Sequence, residues 1–159
     1  IAHSRVARSA LFGLRALGAS VTVVGPRTLL PAGVEELGCT LVATVEEAME
    51  GADAVMALRL QRERMDGGLL PSLGEFARIW GLTPERVRLM NRDAVVLHPG
   101  PMNRGVEVTA EVADSERSVI LDQVQNGVAL RCAVLARCAA ARLVRGFGRS
   151  AGRPGGEAA

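Results

Sequence analysis

Ala54-Val-Met-Ala-Leu-Arg-Leu60 is an apolar run ending beside an arginine, and Gln61-Arg-Glu-Arg64 behind it is fully polar. The run is too short for a buried helix and suits a strand covered on both faces. The pattern recurs at Ala94-Val-Val-Leu97, which opens into His98-Pro-Gly-Pro-Met-Asn-Arg-Gly105. Outward from these two, residues 21–26, 40–43 and 119–121 read as further short strands. Helical spacing fills the gaps. Residues 6–17 predict an amphipathic helix with Val6, Ala10, Leu14 and Leu17 on its apolar side, Ser4 as its cap and Gly18 as its stop. Further helical pieces fall at 31–38, 45–51, 73–80, 84–90 and 109–113. Strands alternating with helices predict an α/β domain: a parallel sheet flanked by helices on both faces, Rossmann-like and doubly wound. Ligands of such sheets bind at the carboxyl ends of the strands, where the loops after Leu60 and Leu97 fall.

The last helix is predicted at 123–145, roughly 34 Å long at about 1.5 Å per residue. It is apolar nearly all round and needs more cover than one sheet face gives. Residues 1–145 are read as the domain, and 146–159, rich in Gly, Arg, Ser, Pro and Ala, as a disordered tail.

A chain of 159 residues is one domain long and buries roughly two thirds of its unfolded surface. Hydrophobic residues at 48%, charged ones at 23% and a mean hydropathy of +0.21 exclude wholesale disorder. The apolar runs are broken before reaching membrane length. All 19 basic residues are arginine, and tyrosine is absent too. No Schiff-base lysine, phosphate-loop lysine or tyrosine proton donor can come from this chain. A net charge of +2, interspersed, with three Phe and one Trp, leaves no footprint for nucleic acid. Cys39, Cys132 and Cys138 lack metal spacing and read as reduced, buried thiols of a cytoplasmic protein. The opening Ile1, with no leader pattern behind it, reads as the start of a fragment or processed chain.

Three stretches could carry chemistry. On an extended backbone Arg59 and Gln61 point the same way, offering a guanidinium fork and an amide suited to a carboxylate. A solvated loop with local Arg/Glu pairing is the other reading. In His98 to Gly105 two prolines stiffen the loop while Gly100 lets a ligand approach the backbone, and a plain structural turn reads as well. Arg5 sits where a helix begins, a poor place for a cation unless an anion is held there; an exposed arginine is the alternative. Glycines 13 and 18 make no dinucleotide fingerprint, and neither histidine has ligand spacing, so no metal or cofactor is expected.

These stretches occur in the same order and at the same separations in the aspartate carbamoyltransferases. From His3 to about Leu143 the chain resembles their second, aspartate-binding domain. Val6-Ala-Arg-Ser9, Val21-Thr-Val-Val-Gly-Pro26 and Gln123-Val-Gln-Asn-Gly-Val-Ala-Leu-Arg131 support the match. The resemblance implies carbamoyl transfer from carbamoyl phosphate to L-aspartate, in pyrimidine synthesis. By the same resemblance Arg5 holds one aspartate carboxylate, Arg59 with Gln61 holds the other, and the Gly100 and Pro101 backbone meets the carbamoyl group. None of these is a proton-transfer catalyst. The family's phosphate-binding loop, carbonyl-polarising histidine and lysine from a neighbouring subunit belong to a preceding domain, absent from this chain. The implied partners are that domain, a trimer-based assembly and other pyrimidine-pathway subunits. The ornithine carbamoyltransferases share the fold but carry a cysteine in the loop equivalent to residues 98–101 and lack the Arg59 and Gln61 pair. A non-catalytic assembly partner and a nicotinamide-dependent dehydrogenase fragment are the readings from other classes.

Overall fold

A computed structural model describes residues 4–60 and 72–150, with side chains to Ala141. Helix α1 (Arg5–Ala16) begins where the Ser4 hydroxyl accepts the Ala7 amide at 3.2 Å and stops as Gly18 turns left-handed at φ 82°. Its buried positions are Ala7 and Leu11, one turn apart. The predicted face was different: Val6, Leu14 and Leu17 are exposed. Two apolar stripes overlap on this helix, and the neighbouring Val34 and Cys39 select the Ala7–Leu11 stripe. Arg15 then reaches across to donate to the Leu37 carbonyl at 2.8 Å.

The strands are shorter than predicted and pair in parallel. Strand β1 (Thr22–Val23) pairs with β2 (Thr40–Leu41), and between them 3₁₀ turns occupy Arg27–Leu29 and Val34–Leu37. Strand β3 (Ala54–Met56) pairs with β4 (Val95–Leu97), Val55 opposite Val96. The parallel α/β class is as predicted, with the ladder in two pairs rather than one continuous sheet. The strand expected at 119–121 reduces to a bridge. Val96 donates to the Arg117 carbonyl and accepts from the Val119 amide, and the chain turns helical at Ile120.

Four further helices flank the pairs: α2 (Val45–Met49), α3 (Leu73–Trp80), α4 (Pro84–Val87) and α5 (Ala110–Ala113). Thr44, Ser72, Thr83 and Thr109 cap them in turn, each hydroxyl accepting an amide three residues on. Arg86 of α4 ties three of them together. Its Nε pairs with Glu46 of α2 at 2.7 Å, and its terminal nitrogens donate to the Arg78, Ile79 and Gly81 carbonyls where α3 ends. That bond draws the Glu46 carboxyl below its ordinary 4.5.

Met49, Val87, Met90, Val96, Val108 and Val112 centre the larger core, around β3 and β4. A smaller one, of Leu11, Val34 and Cys39, lies beside β1 and β2. Helix α6 (Ile120–Ser150) runs past the predicted end at 145. The described residues up to Gln123 form one unit and those from Val124 another. In the second unit Val128, Leu130, Val134 and Leu135 are exposed, as expected of a helix apolar on too many sides. The predicted tail lies, from residue 151, outside the described residues.

Candidate functional site

Because β3 and β4 are parallel neighbours, whatever follows them leaves the same edge. The Ala57 amide still donates to the Leu97 carbonyl at 3.0 Å, so the two segments part only beyond that bond. Arg59, partly buried, therefore leaves β3 beside the loop in which Gly100 and Pro101 leave β4. Arg5, exposed, is the first residue of α1, the helix before β1, and β1 belongs to the other strand pair. Gln61 and His3 lie outside the described residues.

The loop after β4 is the most tightly bonded part of this edge. His98 and Glu107 are the buried polar side chains among the described residues, at 0% and 3% exposure. The His98 amide donates to Gln123 Oε1 at 2.8 Å. The Gly100 amide donates to His98 Nδ1 at 2.9 Å, so Nδ1 carries no proton and the ring N–H sits on Nε2. Nε2 lies 3.3 Å from Glu107 Oε1, which also accepts the Asn103 amide at 2.5 Å, while Glu107 Oε2 accepts Asn103 Nδ2 at 3.3 Å. Burial works against the Glu107 charge and these hydrogen bonds, His98's first, work for it. The bonds prevail, and the carboxyl is held below its ordinary 4.5.

Chemically, residues 99–101 have spent their backbone donors. Pro99 and Pro101 have no N–H, and that of Gly100 is taken by His98. What they can present to a ligand is carbonyl oxygen, which receives N–H groups of an amine or amide. Gly100, at φ 67° before a cis bond to Pro101, supplies a backbone conformation that other residues rarely adopt. Beside these acceptors Arg59 offers a charge-assisted donor for an anionic group, and Arg5 is a second guanidinium at the start of α1. Glu107 was not legible in the sequence. Set between Val106 and Val108 it reads as the solvated member of an alternation, and only the buried His98 it serves could have pointed to it.

Among the described residues no cluster of His, Cys, Asp or Glu could hold a metal ion, and no helix is long and apolar enough to cross a membrane. The three thiols form no disulfide; Cys39 is buried as expected, whereas Cys132 and Cys138, expected to be buried, are exposed on α6.

Residues 2–138 match the family model for the aspartate/ornithine carbamoyltransferase Asp/Orn binding domain. Among curated proteins, the chain is 58% identical over 135 residues to the aspartate carbamoyltransferase catalytic subunit of Sorangium cellulosum, covering 85% of the chain and 42% of that relative. The corresponding subunit of Syntrophotalea carbinolica is 54% identical, with 43% of it covered. The chain thus spans less than half the length of these relatives. Among solved structures, ornithine carbamoyltransferase from Pyrococcus furiosus superposes with a TM-score of 0.67 at 27% identity, over 82% of this chain and 45% of that one. The Thermus thermophilus enzyme gives 0.64 at 25% identity, over 76% and 40%.

Proposed function

The chain belongs to the aspartate/ornithine carbamoyltransferase family, and from that premise we propose that it is the aspartate-binding half of an enzyme carbamoylating L-aspartate. The donor is carbamoyl phosphate, and the products are N-carbamoyl-L-aspartate and phosphate, in de novo pyrimidine synthesis. One observation carries the choice of acceptor: identity is 54–58% to catalytic subunits named for aspartate and 25–27% to structures named for ornithine.

In this reading Arg5 and Arg59, the latter with Gln61, hold the two aspartate carboxylates. Two anionic groups on one small acceptor call for two cationic anchors, and a guanidinium matches a carboxylate through two parallel bonds. The carbonyl-rich backbone at Gly100 and Pro101 receives the N–H groups at the reacting centre. Attack of an amine on an activated carbamoyl carbon needs alignment and a stabilised leaving phosphate, with no covalent enzyme intermediate. A preceding domain supplies the phosphate site, in a cytoplasmic assembly built on trimers, with other pyrimidine-pathway subunits as further partners.

The test is steady-state carbamoyl transfer by the complete two-domain enzyme carrying this chain, with L-aspartate or L-ornithine as acceptor. A site built around two carboxylates is expected to favour aspartate by at least about 10³-fold in kcat/KM. A preference for ornithine overturns the acceptor, and turnover by this chain alone overturns the half-site reading.

A further inference from the structure

The loop after β4 contains a buried acid that the transfer reaction does not touch. Glu107 sits where burial penalises its charge, and a carboxylate in such a place is retained only with good partners. Among the described residues its partners belong to one short stretch: the ring of His98 and the amide and side chain of Asn103. His98 in turn passes the constraint on. With Nε2–H directed at Glu107, Nδ1 must be the acceptor, and what it accepts is the Gly100 amide. The ring orientation is thus set on one side by a carboxylate and read out on the other by the backbone of Gly100. Gln123 Oε1 holds the His98 amide and closes the arrangement from the start of α6.

We infer that Glu107 is a positioning residue for carbamoyl transfer: through His98 it holds the Gly100–Pro101 carbonyls where they meet the N–H groups of the reacting centre. This rests on the aspartate transferase reading. A loop that only closes the fold would need the hydrogen bonds for stability alone, and losing either end of the His98 ring would then be equivalent. Positioning makes the two ends unequal, since only the Nδ1 end touches the backbone that faces substrate. It also directs the effect to kcat, because the aspartate carboxylates are held by Arg5 and Arg59.

The experiment is steady-state kinetics of the complete enzyme carrying this chain, with four variants. His98→Asn keeps an oxygen near Nδ1 for the Gly100 amide and abandons Glu107; His98→Gln reaches toward Glu107 and abandons Gly100. His98→Asn is expected to retain at least about fivefold more kcat than His98→Gln, with unfolding midpoints lowered alike. Glu107→Ala is expected to lower kcat at least about tenfold, with the aspartate KM within about threefold, and Glu107→Gln, which keeps an oxygen for both N–H groups, to recover most of that loss. Equal losses in the two His98 variants, or a loss from Glu107→Ala expressed in KM alone, overturn the positioning role while leaving the aspartate reading intact. A parent enzyme that does not carbamoylate aspartate overturns both. Should Glu107→Ala fail to fold, the His98 pair decides.

Discussion

The two strand pairs are built from the same parts and invested differently. Beside β1 and β2 the buried cluster is Leu11, Val34 and Cys39; around β3 and β4 it is twelve residues, fed by α2, α4 and α5. Both buried polar side chains, His98 and Glu107, lie with the second pair. A buried hydrogen-bonded network costs desolvation that a small cluster could not offset, so it stands where most apolar surface is removed from water. Arg5 stands exposed at the tip of the helix before the first pair, and the second pair brings Arg59 together with a fixed backbone. A thin half can present a charge; placing a carbonyl takes a dense one.

That contrast can be broken first by stability. Met49→Ala, in the larger core at 1% exposure, is expected to cost about 3 to 4 kcal/mol in urea unfolding, and Leu11→Ala, at 2% in the smaller, about 2. Equal losses would show the small cluster packed as closely as the large one. Next comes acceptor binding in the complete enzyme. Arg59→Ala is expected to lower kcat/KM for aspartate at least about 10²-fold, near 2.7 kcal/mol, with carbamoyl phosphate affinity much less changed. Arg59→Lys rescues only in part, keeping the charge and losing the fork. Arg5→Ala, from the exposed tip of α1, is expected to cost about tenfold or more. Aspartate kinetics within about threefold of the parent would return Arg59 to a solvated charged loop.

The smallest effect is acid sensitivity. The folded Glu107 carboxyl sits below its ordinary 4.5, so the unfolded chain takes up its proton first as pH falls. Its contribution to stability is complete above that value and is lost as pH drops below it, through the depressed one. Unfolding of the parent and of Glu107→Gln, compared at about pH 7, 4 and 3, should show the parent losing more on acidification. Parallel losses would place the acid response on exposed acids such as Glu46 and Asp114, whose carboxyls are also drawn down by arginine partners.

What the sequence made legible was whatever it encodes locally. Ser4 caps α1 at the Ala7 amide as expected, and the helix expected at 73–80 is α3 (Leu73–Trp80). Arg59 and Gly100 came to one edge because two apolar runs end beside them, and parallel pairing does the rest. What it hid depends on neighbours far along the chain. Cys39 and Val34 select the buried stripe of α1, and a β-branched pair at Val119 and Ile120 gives way to a helix after one bridge to Val96. Glu107 is hidden for the same reason: nothing within a few residues says that His98 is buried.

Arg86 carries a consequence for how this sequence can drift. The chain writes every cation as arginine, and on a solvated surface that spelling is interchangeable with lysine. At position 86 it is not. One planar group serves a carboxylate and three carbonyls from two other helices at once, and an ammonium, with three donors radiating from a point, cannot be in those places together. A single-letter change conservative by charge would free the end of α3 from the starts of α2 and α4. Position 86 is therefore closed to the exchange that a fully solvated arginine tolerates.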